Sequence, residues 1–472
     1  MPTVISVAWR IAEDRLEIVR LRGEFHGWLA ERRRLDDQKQ FQTQLKALED
    51  VLLKALAGVE AELAVAERTD GLAAVDVCRR VERATVWVRR VWTFFRWRFD
   101  QRDDPRTKKV LAAADEMVWS CYVEPFRALD GTVPPAPLPY IDDRFSPYAV
   151  PRLDPPPDLR FDVESSFIRS FLSQLPIPLI GLPPSSLEYP WTLALIAHEA
   201  GHHVQYDLLP SGALVGDFGT WLAGALGDGA PPELVARWTA WGREIFADAW
   251  SVVMIGPAAL WALVDLEIGA DERLLRSHPA YPSPMVRFSL MAGLLRELEV
   301  EAADGLRGLN PEALRIGPSL VRDDLDLRSL FVQDLDAARS VVSALKETPV
   351  IKGLTFADLG RWQKDHFVPY GTASGWTAAF AGVDDPAPVK TVESARLATS
   401  GAVWAWANLS ALKDDDRETS RKALRDSVIR TIAGCREPYT RASAPARDFA
   451  AADAGDKLCA LVLHDAPDPG LT

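Results

Sequence analysis

The sequence predicts a mainly α protein of the α+β class, with a small edge sheet in a central domain and helical regions on either side. Three observations carry this expectation. Apolar residues recur every three or four positions over most of the chain. The one strand-like run is short and interrupted by prolines, and nine prolines crowd the interval from Pro134 to Pro157. With 472 residues, 48% of them hydrophobic, the chain has length for about three domains and material for real cores. The expected division is an N-terminal helical bundle over 1–130, a proline-rich connector over 131–165, a central domain over 166–300 and a C-terminal helical region over 301–472.

From Ala8 to about Arg127 the pattern is that of long amphipathic helices: Phe41, Leu45, Leu48, Leu52, Leu56, Val59 and Leu63 repeat at helical spacing with charges between them. Within Arg79 to Phe99 seven arginines alternate with Trp87, Trp92, Phe94, Phe95, Trp97 and Phe99. Such a stretch could stack on single-stranded nucleic acid, but it reads better as a bundle helix with aromatics inward and arginines paired to an acidic surplus. The prolines of 134–157, with Pro155-Pro156-Pro157 at their end, forbid regular helix and favour an extended connector. Tyr140, Ile141, Phe145 and Tyr148 are apolar enough for it to pack across another surface.

Next comes Leu175 to Pro183, an apolar run whose prolines suit an edge strand, and an edge strand there could hold extended peptide through its backbone. Pro190 suits the first turn of a helix running to about Leu209. Ser211 to Gly229 reads as a long glycine-rich loop or rim with one short helix around Trp221. Pro231-Pro232 opens a helix from Glu233 to about Ile255, closed by Gly256-Pro257. Further helices are expected over 284–302, 332–346, 356–367, 391–412, 418–434 and 447–463.

Net charge is −13, which argues against broad electrostatic attraction to nucleic acid or anionic membrane. Cys78, Cys121, Cys435 and Cys459 stand far apart with no C-x-x-C pair, as suits a reducing, cytoplasmic setting without a structural zinc site. Met1 to Arg20 is broken by Arg10, Glu13, Asp14 and Arg15 and lacks the pattern of a secretion signal. The longest apolar tract, Ser251 to Val264, contains Gly256-Pro257 and is too short to span a bilayer of about 30 Å, so no membrane span is expected.

The chemistry is concentrated in His198-Glu199-Ala200-Gly201-His202. On a helix, His198 and His202 lie one above the other at i and i+4 and can share a metal ion, with Glu199 beside them as general base. With only 7 histidines in the chain, about 0.015 chance occurrences of the pattern are expected. A catalytic zinc takes three protein ligands and keeps a fourth position for water, so a third ligand is required. The extension that would supply it as H-x-x-G-x-x-H fails, because Gln205 and Leu208 stand at the Gly and His positions. Downstream, Glu244 and Asp248 share one helix face within Glu244-Ile245-Phe246-Ala247-Asp248.

Together these two motifs resemble those of the gluzincins, zinc metallopeptidases in which H-E-x-x-H on one helix is joined by the Glu of E-x-x-x-D on a second. The E-x-x-A-D form, matched by Glu244, Ala247 and Asp248, is most similar to the CAAX-type and heat-shock membrane metallopeptidases. The resemblance covers about Ile177 to Val253 and departs from that branch in having no membrane-spanning helix. It implies a zincin-like catalytic domain over 166–300 and one Zn2+ per chain held by His198, His202 and Glu244. It further implies Glu199 as general base, Asp248 holding the other ring nitrogen of His198, and a protein or peptide substrate. A peptidase also needs a donor for the oxyanion, and Ser277 to Pro282 offers His278 first and Tyr281 second. Arg287 is expected to meet a substrate carboxylate or Asp271. His203 points about 100° away from His202 and reads as a supporting or surface residue. The rival reading is a partner-binding regulator or scaffold using the same fold, because about 340 residues lie outside 166–300 and look like interaction helices.

Overall fold

Apolar residues at helical spacing become buried helix faces throughout the chain. A computed structural model describes residues 6–35, 40–129, 131–150, 177–267, 274–300, 325–367, 372–380, 391–409, 414–436 and 451–464. The chain forms two compact units: Met1–Gln101, Val150–Pro178 and Arg441–Thr472 in one, Arg102–Ala149 and Leu179–Thr440 in the other. The packing thus crosses the linear boundaries drawn at 130, 165 and 300. The last helix joins the N-terminal ones, and the first strand of the connector belongs with the histidine motif.

In the first unit, α1 (Val7–Arg34), α2 (Gln42–Ala66), α3 (Gly71–Asp100) and the C-terminal helix Ala451–His464 pack as a bundle. The apolar stripe of α2, Leu45, Leu48, Leu52, Leu56, Val59 and Leu63, is fully buried. Trp87, Trp92, Phe95 and Phe99 of α3 turn inward, while Arg80 pairs with Glu62 and Arg89 with Glu17 and Glu24. Two residues of α3 break the pattern: Trp97 is half exposed and Arg98 is buried, donating to the Phe94 carbonyl.

The second unit contains α4 (Lys108–Tyr122), α5 (Glu124–Leu129), β1 (Leu138–Ile141), β2 (Tyr148–Val150, whose last residue falls to the first unit) and β3 (Leu179–Leu182). It continues with α6 (Ile196–Asp207), α7 (Ala213–Leu226), α8 (Pro232–Ala240), α9 (Gly242–Ile255), α10 (Pro257–Glu267) and α11 (Pro284–Glu297). Then follow α12 (Leu325–Glu347), α13 (Phe356–Leu359), α14 (Thr372–Phe380), α15 (Ser394–Leu409) and α16 (Asp414–Gly434). One buried apolar cluster runs through these helices, with α6 and α9 among its most closely packed pairs. No helix among the described residues is long and apolar enough to cross a membrane.

Several local expectations are corrected. The proline-bounded run is not an edge: β3 is the middle strand in the order β1-β3-β2, parallel to β1 with Leu138 opposite Leu179 and Ile141 opposite Leu182. Its prolines at 178 and 183 flank the paired residues and remove no ladder donor. Among the described residues the outer strands are β1 and β2, both inside the proline-rich stretch, which is therefore partly sheet; its residues 151–157 lie outside the described ones. The glycine-rich interval is largely the fourteen-residue helix α7, burying Leu214, Phe218 and Leu222. The helix expected over 233–255 is two, interrupted at Trp241, and 356–367 holds only α13 and a short 3-10 turn. Helices α10 and α14 were not anticipated.

Candidate metal centre

Two helices meet because one position carries no side chain. A Cβ on Gly201 would stand 2.9 Å from Ala247 Cα and 3.1 Å from Trp250 Cβ, so glycine inside the motif lets α6 lie against α9. The approach to α6 is a 3-10 turn over Pro190–Leu195 and not the helix itself; its residues Trp191, Leu193 and Ala194 are buried and anchor it. His203, far from being at the surface, is fully buried and its Nε2 lies 3.0 Å from the Leu179 carbonyl, tying α6 to the middle strand. The break at Trp241, whose indole donates to the His278 carbonyl at 2.9 Å, sets Glu244 in the first turn of α9.

The geometry brings His198, His202 and Glu244 together. One ligand atom from each lies within 4.8 Å of the others. His198 Nε2 is 3.3 Å from one Glu244 carboxylate oxygen and His202 Nε2 is 3.6 Å from the other. The imidazoles are perpendicular, with ring centres 4.8 Å apart. The opposite nitrogen of His198, Nδ1, is 2.9 Å from Asp248 Oδ1, the contact expected to fix its tautomer so that Nε2 faces the cluster. Asp248 in turn is gripped by Arg287, which donates from Nε to Oδ2 at 2.8 Å and from Nη2 to Oδ1 at 2.7 Å. Arg287 therefore serves Asp248, and Asp271 lies outside the described residues.

Charge and burial sort these groups. Burial pushes the Glu199 carboxyl up to about 7 and drives His202 down to about 3, leaving a neutral imidazole. For His198 burial acts downward but is outweighed by the adjacent carboxylates of Asp248 and Glu244, which raise it to about 10. Glu244 and Asp248 resist the upward pull of burial. Contacts with His202 and His198 hold Glu244 at about 2, and Arg287 and His198 hold Asp248 well below the usual carboxylate range. Two imidazoles and a carboxylate brought together in one largely buried cluster are a donor set that can hold a metal ion. Buried acids and bases of this kind call for such a partner.

Glu199, 8% exposed, lies on the same helix, and the Ala149 amide of β2 hydrogen-bonds its carboxylate. His278 and Tyr281 face each other across a two-residue turn, bonded His278 N to Tyr281 O at 2.9 Å and Tyr281 N to His278 O at 3.1 Å. His278 Nδ1 accepts from the Ala280 amide at 3.2 Å, so one ring nitrogen is engaged in the turn. Tyr281 is raised first by the charge of Glu244, then by burial and by Glu199; its hydroxyl is thus within electrostatic reach of the cluster. Sequence reasoning missed Ala149 and the Arg287–Asp248 pair. Neither leaves a local signal, since each partner comes from a distant part of the chain.

No protein-family model, curated protein or solved structure matches this chain.

Proposed function

We propose that the chain is a zinc-dependent endopeptidase of gluzincin type, built on a zincin-like domain and hydrolysing peptide bonds in protein or peptide substrates. The observation that carries the reading is the convergence of His198, His202 and Glu244 within 4.8 Å beside the buried carboxylate of Glu199. His198 and His202 through Nε2, and Glu244 through its carboxylate, would hold the ion. When bound, zinc supplies the positive charge that acidifies a water molecule and polarises a carbonyl.

The remaining roles belong to the chain. Glu199 takes a proton on its carboxylate and passes it to the departing amine, a task suited to a group with a pKa of about 7. Asp248, fixed by Arg287, keeps the His198 ring aligned. His278 or, after it, Tyr281 supplies the donor for the oxyanion; the charges of Glu244 and Glu199 act on Tyr281. The buried, unpaired Cys78, Cys121, Cys435 and Cys459 support a reducing, cytoplasmic setting.

The test is Glu199→Gln. Comparing the peptides released from a whole-cell protein extract by wild type and variant should reveal cleavages made only by wild type, while both proteins retain zinc. Identical peptide sets from the two proteins would refute the assignment and favour the partner-binding reading.

A further inference from the structure

Two arginines bring positive charge to the candidate metal centre, and they differ in what neutralises them. Arg287 is consumed by its two hydrogen bonds to Asp248. Arg243 immediately precedes Glu244 on α9, yet no carboxylate among the described residues forms an ion pair with it. Its guanidinium instead lies over the ring of Tyr206, 5.1 Å from the centroid, and its Nε is buried without a hydrogen-bond partner. Tyr206 follows His202 by one helical turn, just as His202 follows His198, so the three side chains line one face of α6.

Arg243 stands next to Glu244 on α9, and its guanidinium lies over the ring one turn beyond His202 on α6, so its charge is carried beside two of the candidate ligands. Tyr281, on the nearby turn, is 47% exposed. The chain carries 67 acidic against 54 basic residues, and that surplus supplies partners to Arg80, Arg89 and Arg287. A guanidinium presents its donors as a fork matched to a carboxylate. Held over an aromatic ring, it has already lost part of the freedom that binding would cost.

We propose that Arg243 binds a carboxylate of the ligand, so that the preferred substrates are peptides with an Asp or Glu side chain, or a free C-terminus, within a few residues of the scissile bond. This rests on the peptidase reading of the site. Arg243 is a specificity residue: it selects which peptide is held and takes no part in moving protons.

The experiment uses full-length, zinc-loaded Glu199→Gln protein and fluorescent peptides of randomised sequence in three sets: internal Asp or Glu with an amidated end, neutral with a free C-terminus, and neutral with an amidated end. Anisotropy should show one of the first two sets binding about tenfold tighter than the third, with the advantage shrinking as salt rises. Which of the two it is identifies the carboxylate. Adding Arg243→Gln should abolish the advantage, and Arg243→Glu should transfer it to peptides bearing Lys or Arg. Equal binding of all three sets, or an advantage that survives Arg243→Gln, overturns the proposal. Cleavage of the same sets by protein with an intact Glu199 separates the two ideas. Cleavage without carboxylate preference sinks only the role of Arg243, whereas carboxylate-selective binding without any cleavage sinks only the peptidase.

Discussion

Asp248→Asn is the most informative single perturbation, because Asp248 joins the metal centre to the core. Its carboxylate receives both donors of Arg287 and contacts His198 Nδ1 at 2.9 Å. Asparagine keeps the volume and one oxygen but removes the charge. Arg287, 7% exposed, would then find its nearest carboxylates at 3.9 Å on Glu244 and 4.0 Å on Glu267, neither in hydrogen-bonding contact. Breaking a buried ion pair from one side costs about 3–5 kcal/mol, and the retained oxygen argues for the lower end, about 3 kcal/mol. Zinc affinity should fall by about 10–100-fold, the usual effect of losing the group that orients a ligating histidine. Urea unfolding of the zinc-free protein gives the first quantity and competition with a chromophoric chelator the second. Arg287→Met should cost a similar amount alone, and the double variant should cost less than the two combined by at least about 1 kcal/mol. A loss under about 1 kcal/mol with unchanged zinc affinity would refute the idea that Asp248 holds both partners.

Gly201→Ala should destabilise the second unit by about 1–3 kcal/mol, because its Cβ meets the α9 backbone at Ala247, which cannot swing aside; a lowered melting temperature and reduced zinc content check this, and a wild-type melt contradicts it. Zinc binding should release about one proton per chain near pH 7.5. His198, raised to about 10, holds a proton there that the ion must displace, so affinity rises with pH through the neutral range and levels off above that value. Calorimetry in buffers of differing ionisation enthalpy counts the proton, and no dependence on buffer would show that His198 is already neutral.

The parts of this molecule legible in its sequence are those written within a few residues. His198, Glu199 and His202 share a turn, Glu244 and Asp248 share another, and the stripe of α2 announces its buried face. What the sequence hides is pairing across distance. The proline-bounded β3 looks like an edge until β1 and β2 arrive from about forty and about thirty residues upstream to enclose it. The glycine-rich interval looks like a loop, although Gly216, Gly219 and Gly224 sit in α7, where the burial of Leu214, Phe218 and Leu222 outweighs their poor helix propensity. Arg287 looked available to a substrate because the carboxylate that binds it, Asp248, lies on another helix. Arg243 has no signature in the sequence, because its significance is the lack of an acidic partner among the described residues, which only packing reveals.

The proposed chemistry requires the metal. Elemental analysis of purified wild type, His198→Ala and Glu244→Gln, each dialysed against buffer with trace zinc, tests it most directly. One zinc per chain in wild type, with little in either variant, is the predicted result. No zinc in wild type, or the same content in all three proteins, would contradict the assignment of His198, His202 and Glu244 as its ligands.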